Sequence, residues 1–354
     1  MEMKEIRRML LLLVVAVGLL SCTDADRYVT ISGYAQGGTY SVKFNMKDVK
    51  VSPEQIRDSV DSILRAVDRS LSGYNRNSLL SRFNEGEGIV PDSLFADMFS
   101  KAYSVYEKTG GVVDAASAPL FDMWGFGFKA GELPSAEDVE RVKAGCGMDR
   151  MCPEIVPGPS GKIDPAQMLL PHLRKDDAPL PELNYNAIAQ GYSCDLVASY
   201  LYSIGVKDMM VDIGEIYCDG LNPSGRSWSI GIDAPVDGNN EPGAMIQAVF
   251  NVPEGPHGVV TSGNYRKFYV RDGRKYAHTI DPRTGFPVEH NLLSATVLAP
   301  DAMWADAYAT YCMVVGLEEA VSFIESQPGI EGCLIYDGED GLASWRSSGF
   351  LLVK

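Results

Sequence analysis

The sequence predicts an α+β fold, built mainly from antiparallel strands with helices packed against them. Two observations carry this reading. Short strand-like runs rich in Val, Ile, Tyr and Thr are separated by Gly, Asn and Pro clusters, as hairpins require. Amphipathic helical stretches are interleaved with them in no regular βαβ order. No internal repeat runs through the chain.

The elements follow in order. "MKEIRRMLLLLVVAVGLLSC" has a basic start (Lys4, Arg7, Arg8), an apolar run from Met9 to Leu20 and small residues at Ser21 and Cys22. The run is too short to span a bilayer comfortably and reads as a secretory signal. Its ending resembles a bacterial lipobox, in which the Cys is lipidated and becomes the mature N-terminus. The alternative is a plain signal with an incidental Cys22. The reading adopted is a lipoprotein signal peptide over 1–21, a lipidated tether over 22–30 and one domain over 31–354.

"YVTISGYAQGGTYSVKF" alternates as two strands around a Gly-rich break. "SPEQIRDSVDSILRAVDRSLS" opens on Ser52 and Pro53, then repeats apolar residues at Ile56, Val60, Ile63, Leu64 and Val67, one face of a helix. "PDSLFADMFSKAYSVYEKTGG" is a second helix, closed by Gly110 and Gly111. "AIAQGYSCDLVASYLYSIGV" is a third. From Asp208 to Tyr269 short strand-like runs dominate. The last part holds the strand "LLSATVLAP", helices "DAMWADAYATYCMVVG" and "EEAVSFIESQ", and strands "GCLIYDG" and "FLLVK". The Pro- and Gly-rich stretch from Met151 to Pro181 lacks a pattern and is expected to be a surface excursion.

Composition excludes some functions. The net charge of −16 argues against nucleic acid as a partner, because phosphate backbones need a basic surface. Besides Cys22 there are Cys146, Cys152, Cys194, Cys218, Cys312 and Cys333, with no CxxC pair to suggest zinc. An exported compartment permits a Cys146–Cys152 disulfide. Cys194 and Cys312 fall within helices as small buried hydrophobes. "GLNPSGRS" (Gly220–Ser227) nearly fits a P-loop, but a strand follows it where a phosphate-cradling helix is needed. A hairpin turn accounts for it better. No G-x-S-x-G or H-E-x-x-H occurs, so an activated-serine hydrolase is unsupported.

Metal-assisted chemistry remains. In "WADAYATYCMVVG", Asp306 and Thr310 are four residues apart and share one helical face among small and apolar neighbours. Alone, such a pair reads as a surface edge; the neighbours turn it inward. Carboxylate and hydroxyl oxygens suit Mg²⁺ beside a substrate phosphate.

Eight ordered blocks then converge: "AQGGTYSV", "LSGYNRNSLLSRFN", "GGVVDAASAPLFDMWGFG", "NAIAQGYSCDLVASYL", "VDIGEI", "TSGNYRKFY", "YAHTIDPRTGFP" and "ADAYATYCMVVG". From about Tyr34 to about Tyr336 they resemble the ApbE family of FAD:protein FMN transferases. The resemblance implies a flavin site in a cleft between two subdomains. It implies Mg²⁺ held by the Ala187 carbonyl, Asp306 and Thr310. It further implies a flavin site drawn from Gln36, Ser72, Gly73, Tyr74, Asp114, Gln190, His278 and Thr279. The sequence departs from the family pattern at Gln36, where Met is usual, and at Gln190, where Lys is usual. It also departs at Ala115 and Ala116 of "DAA", and at "GEI" (Gly214, Glu215).

The implied reaction moves FMN from FAD to a Thr or Ser hydroxyl of a target flavoprotein, releasing AMP. Asp306 and His278 are its catalytic candidates. His278, in "YAHTIDPRTGFP", serves as general base or as flavin contact. Asp281 either orients it or caps the turn before Pro282. His257 and His290 read as solvated loop residues, and His172 takes no role. A Mg²⁺-dependent FAD pyrophosphatase uses the same residues, and a non-catalytic FAD-binding lipoprotein fits Gln190. The implied partners are FAD, a membrane-associated acceptor flavoprotein, and the periplasm-facing membrane that holds Cys22.

Overall fold

The computed structural model describes residues 27–126, 134–175, 179–236, 239, 243–264, 268–271, 274–277 and 279–353. Cys22 and His278 lie outside the described residues.

An eight-stranded antiparallel sheet forms the centre. β1 (Tyr28–Ala35) and β2 (Gly38–Asn45) make its first hairpin, and Gln36 and Gly37 turn the corner at φ +53° and +80°. Two successive left-handed residues match the twist of the flanking strands. β3 (Met209–Asp212) and β4 (Ile216–Asp219) follow beside β2. β5 (Ser229–Asp233) and β6 (Ile246–Asn251) form a separate hairpin, and β7 (His257–Gly263) returns to β4. β8 (Phe268–Arg271) pairs with β9 (Arg274–Ala277), and β10 (Ile280–Asp281) with β11 (Phe286–Pro287). β12 (Leu292–Ala299), β13 (Glu331–Gly338) and β14 (Gly341–Arg346) complete the sheet in the order β1-β2-β3-β4-β7-β12-β13-β14.

The helices are α1 (Pro53–Leu71), α2 (Leu79–Asn84), α3 (Ser93–Lys108), α4 (Ala118–Met123), α5 (Ala136–Lys143), α6 (Pro165–Met168), α7 (Ala189–Ser203), α8 (Ala302–Val315) and α9 (Leu317–Ser326). α1 begins where expected. Ser52 and Gln55 form a reciprocal capping box, Pro53 opens the first turn, and Ile56, Val60, Leu64 and Val67 are buried. α3 is capped by Asp92 and buries Phe95, Met98, Phe99, Ala102 and Val105. α1, α7, α8 and α9 pack on one face of the sheet. α8 is buried almost all round, because β7 and β12 lie beneath it and α7 and α9 flank it. The opposite face is covered by β5 and β6 through Ile230, Ile232 and Phe250, set against Val259, Leu298 and Ile335.

Several expectations change. The described residues of Met151–Pro181 are mostly exposed, as a surface excursion requires, but the stretch is pinned to the body: Met151, Ile163, Met168 and Leu169 are buried, and Ile163 and Leu169 make antiparallel bridges to Ile89 and Met151. Isolated bridges between proline turns have no period for a sequence pattern to reveal. Cys146 and Cys152 are unpaired thiols that donate to the carbonyls of Val142 and Leu169. Cys194 and Cys312 are buried as expected. His257 opens β7 half-buried, and His290 holds the Met313 carbonyl with Nε2 at 2.9 Å, so neither is a solvated loop residue. The turn at Gly220–Ser227 precedes a strand, but it joins two different sheets and closes no hairpin.

Candidate active site

A cavity of about 340 Å³ lies on the helix-bearing face of the sheet, within the range of small-molecule sites. Its floor comes from the end of β7 (Thr261, Ser262 and Gly263) and from Asp306, Thr310 and Met313 of α8. Ala187, Ile188 and Gln190 enter from the start of α7, and Thr279, Ile280 and Pro282 from the β10–β11 hairpin. The remaining wall is largely apolar, with Ala102, Val105, Val112, Val113, Phe121 and Phe126. One apolar cluster runs continuously from α3 through α7 to α8 and β12. The cavity is thus a cleft with Val112, Val113, Phe121 and Phe126 on one side and residues of α7, α8 and β7 on the other.

The oxygen-rich end is built by α7 and α8. The Gly191 amide, one of the first-turn amides that a helix N-terminus leaves without an intrahelical partner, donates to Asp306 Oδ2 at 3.2 Å. The Ala187 carbonyl has no backbone partner among the described residues. Burial pushes the Asp306 carboxyl well above the usual carboxylate range, Asp195 adds to the shift, and the Gly191 amide opposes it. A buried carboxylate, a hydroxyl and a backbone carbonyl on residues lining one cavity offer an all-oxygen donor set, which suits a hard divalent cation. No cluster of three or more His, Cys, Asp or Glu residues suited to a metal occurs among the described residues. The fit therefore depends on one carboxylate with neutral oxygens.

The other predicted residues divide. Asp114, Tyr74, Gln190 and Thr279 line the cavity. Asp114 accepts from the amides of Ala116 (2.8 Å) and Met148 (3.2 Å), and burial raises its pKa to about 6 against those bonds. Gln190 also donates to the Ile213 carbonyl at 3.2 Å. The Tyr74 hydroxyl accepts from Asn186 Nδ2 at 3.2 Å, across the cavity rim. Ser72 and Gly73 do not line the cavity. Ser72 caps the end of α1, and its hydroxyl accepts from the amides of Tyr74 and Asn75, shaping the loop that carries Tyr74. Gln36 is also absent from the lining; its Nε2 donates to Ser193 Oγ at 2.5 Å, tying the β1–β2 turn to α7. The Asp281 carboxylate accepts from the Arg283 amide, Nε and Nη2, so it is engaged within its own turn.

This arrangement invites comparison with known proteins. The model of the ApbE family matches residues 36–334. The chain belongs to the ApbE family. The FAD:protein FMN transferase of Escherichia coli K12 is 31% identical over 336 residues, covering 93% of this chain and 90% of that protein. The protein of the same name from Vibrio cholerae is 32% identical over 341 residues, covering 94% of each. Among solved structures, flavin transferase ApbE from Vibrio cholerae superposes with a TM-score of 0.75 at 30% identity, covering 92% of this chain and 99% of that one. The apo flavinyl transferase ApbE of Pseudomonas stutzeri gives 0.75 at 29%, covering 91% and 95%.

Within this ApbE-family chain, sequence reasoning missed residues that complete the site. Asn184, Asn186, Glu215, Thr261 and Ser262 all line the cavity. "GEI" and "TSG" lay in recognised blocks, yet no role was drawn from them. Asp195 was also missed. Its carboxylate accepts the amides of Ala302 (2.8 Å) and Met303 (2.9 Å) at the start of α8, while Asp301 accepts that of Trp304. These are amides that a helix N-terminus otherwise leaves without partners. A signal existed: Asp195 stands four residues after Gly191 on the same face of α7.

Proposed function

We propose that this chain is a Mg²⁺-dependent FAD:protein FMN transferase that attaches FMN from FAD to a Thr or Ser hydroxyl of a target flavoprotein and releases AMP. The carrying observation is the cavity itself. Apolar side chains suited to a flat ring system and the oxygen-bearing residues Ala187, Asp306 and Thr310 line the same cavity. The family membership and the names of the relatives support the same reading.

In this mechanism the acceptor hydroxyl oxygen bonds to the FMN-side phosphorus of FAD. The pyrophosphate P–O bond to AMP breaks, and the hydroxyl proton passes to a base. Asp306, Thr310 and the Ala187 carbonyl would hold Mg²⁺, whose positive charge would offset the negative charge developing on the leaving phosphate. Asp306 would serve this task only as the ionised carboxylate, and so must give up the proton that burial favours. Val105, Val112, Phe121 and their neighbours exclude water from the flavin end. Thr279 and Pro282, which follow His278 in the chain, line the cavity, and this supports His278 as the base or as a flavin contact. We further read Cys22 as an acylated anchor that keeps the enzyme beside a membrane-associated redox acceptor, facing the periplasm.

The test is incubation with FAD, Mg²⁺ and an acceptor domain, read by intact mass and in-gel flavin fluorescence. Asp306→Ala should lower transfer by about 10²–10³. Free FMN and AMP formed at equal rates with and without acceptor would establish an FAD pyrophosphatase instead. FAD binding without turnover would establish a binding protein. Cys22→Ser should release the protein from membranes with its activity intact.

A further inference from the structure

An apolar sheet face lies on the far side of the molecule from the cavity. β5 and β6 pack there on the central sheet, and residues 351–353 extend the hairpin. Phe250 bridges to Leu352, Val353 N donates to the Val249 carbonyl, and Asn251 N to that of Leu351. The register sorts the side chains. Ile230, Ile232, Phe250 and Leu352 pack into the core below. Gly231, Val249, Leu351 and Val353 take the opposite, outward face, because strand residues alternate. Ile246 joins them, its Cδ1 3.2 Å from where a Gly231 Cβ would stand. Leu351 is 67% exposed, Ile246 53%, Val353 47% and Met245 43%. Of the polar members of this face, Ser229 and Asn251 bond each other at 2.7 Å, Asp233 accepts from the Gly243 amide, and Gln247 is exposed at the bulge beside Ile246. The outer face of an antiparallel layer is ordinarily polar, and clustered exposed apolar side chains mark an interaction site.

The start of the described chain indicates the occupant. Tyr28 donates its hydroxyl to the Leu221 carbonyl at 2.7 Å and meets the ring of Trp228 edge-on at 6.4 Å. Trp228 directly precedes β5, and Leu221 is a further exposed apolar side chain. The chain thus enters the body at one end of the apolar layer. Four residues, Thr23 to Asp26, lie between Cys22 and Arg27, five steps in which an extended chain covers at most about 3.5 Å each. An acylated Cys22 therefore holds this end within about 17 Å of the bilayer.

We propose that the outward face of Gly231, Val249, Ile246, Leu351 and Val353 rests on a lipid bilayer, held there by the short tether. The proposal rests on the acyl-anchor reading of Cys22. It sets the cavity on the side of the central sheet away from the lipid, where an acceptor domain approaches from the aqueous phase.

The test uses the full lipidated protein in phosphatidylethanolamine–phosphatidylglycerol vesicles carrying spin-labelled acyl chains. An environment-sensitive fluorophore is placed at Leu351→Cys or Val353→Cys, with Cys146 and Cys152 changed to Ser. A control label sits at Phe286→Cys on the β10–β11 hairpin of the cavity side. The proposal expects blue-shifted, strongly quenched emission at 351 and 353, and solvent-like emission at 286. Removing these apolar contacts with Leu351→Glu and Val353→Glu together should lower vesicle affinity of the Cys22→Ser chain about tenfold or more. An acylated protein that floats with vesicles while its 351 and 353 labels stay solvent-like overturns this proposal alone. A protein without acyl chains by intact mass, which does not float, overturns the anchor reading and this proposal with it. Self-association of the Cys22→Ser chain, abolished by Val353→Glu, overturns it in favour of a second copy on this face.

Discussion

The backbone amide of Gly191 donates to the buried carboxylate of Asp306 at 3.2 Å. This bond ties the start of α7 to the inner face of α8. Ala187, just before the start of α7, lines the same cavity, and its carbonyl has no backbone partner among the described residues. The contact needs a residue without a side chain. A Cβ on Gly191 would stand 2.2 Å from the Ala302 carbonyl oxygen and 2.9 Å from the Met303 Cα. Neither backbone atom can turn aside as a flexible side chain would.

Gly191→Ala should therefore push α7 and α8 apart. Overpacking of this kind costs about 1–3 kcal/mol. Chemical denaturation should show the loss, and isothermal titration should show weakened Mg²⁺-dependent FAD binding. Unchanged stability with unchanged binding would mean that the close approach has no bearing on the site.

Asp195 should act on the site through α8. Its two bonds to the Ala302 and Met303 amides anchor the helix N-terminus, near the positive end of the helix dipole. Burial pushes its carboxyl up to about 7, and nearby Asp301 adds to the shift. Asp195→Ala should lose about 1–2 kcal/mol of stability, as cap removals do. If the cap positions Asp306, the Mg²⁺ concentration for half-maximal transfer should also rise. A stability loss with an unchanged Mg²⁺ requirement would confine Asp195 to folding.

Asp114 provides a pH signature. Its pKa is raised by burial to about 6 in the folded chain, above its ordinary value of 3.8. The folded state therefore holds the proton more tightly than the unfolded state. The part of the metal-free, ligand-free protein's stability that Asp114 contributes should fall as pH rises from about 4 through about 6, and not change further above that. The shift corresponds to at most about 3 kcal/mol. Asp114→Asn should remove that part of the slope in urea melts taken across this range. A variant with the wild-type pH profile would contradict the assignment.

His278 is expected to separate its two possible roles by kinetics. As a general base, its replacement in His278→Asn should leave FAD binding nearly intact and slow transfer, with the deficit shrinking as pH rises. As a flavin contact, the same change should weaken binding and spare the rate at saturating FAD. Unchanged binding and unchanged rate would leave it a turn residue.

What the sequence determined by itself was local. Ser52, Pro53 and the spacing of Ile56, Val60 and Leu64 specified α1, because caps and a helical period are written within a few residues. The alternation around Gln36 and Gly37 specified the first hairpin in the same way. Asp306 and Thr310 were legible as one inward face, since a four-residue spacing fixes a shared helical side. Tertiary structure decided what depends on distant segments meeting. Nothing near Asp195 announces that it caps a helix beginning at Ala302, more than a hundred residues later. Gln36 lay in a recognised block, yet its side chain reaches Ser193 and not the cavity, because the turn's left-handed backbone aims it there. Met151, Ile163 and Leu169 looked like loop residues because their burial comes from single bridges between proline turns. The sequence lists apolar residues at 231, 246, 249, 351 and 353, but only the pairing of β5, β6 and residues 351–353 sets them on one outward face. Strand register is a long-range property, and one residue of slip would have turned them into the core.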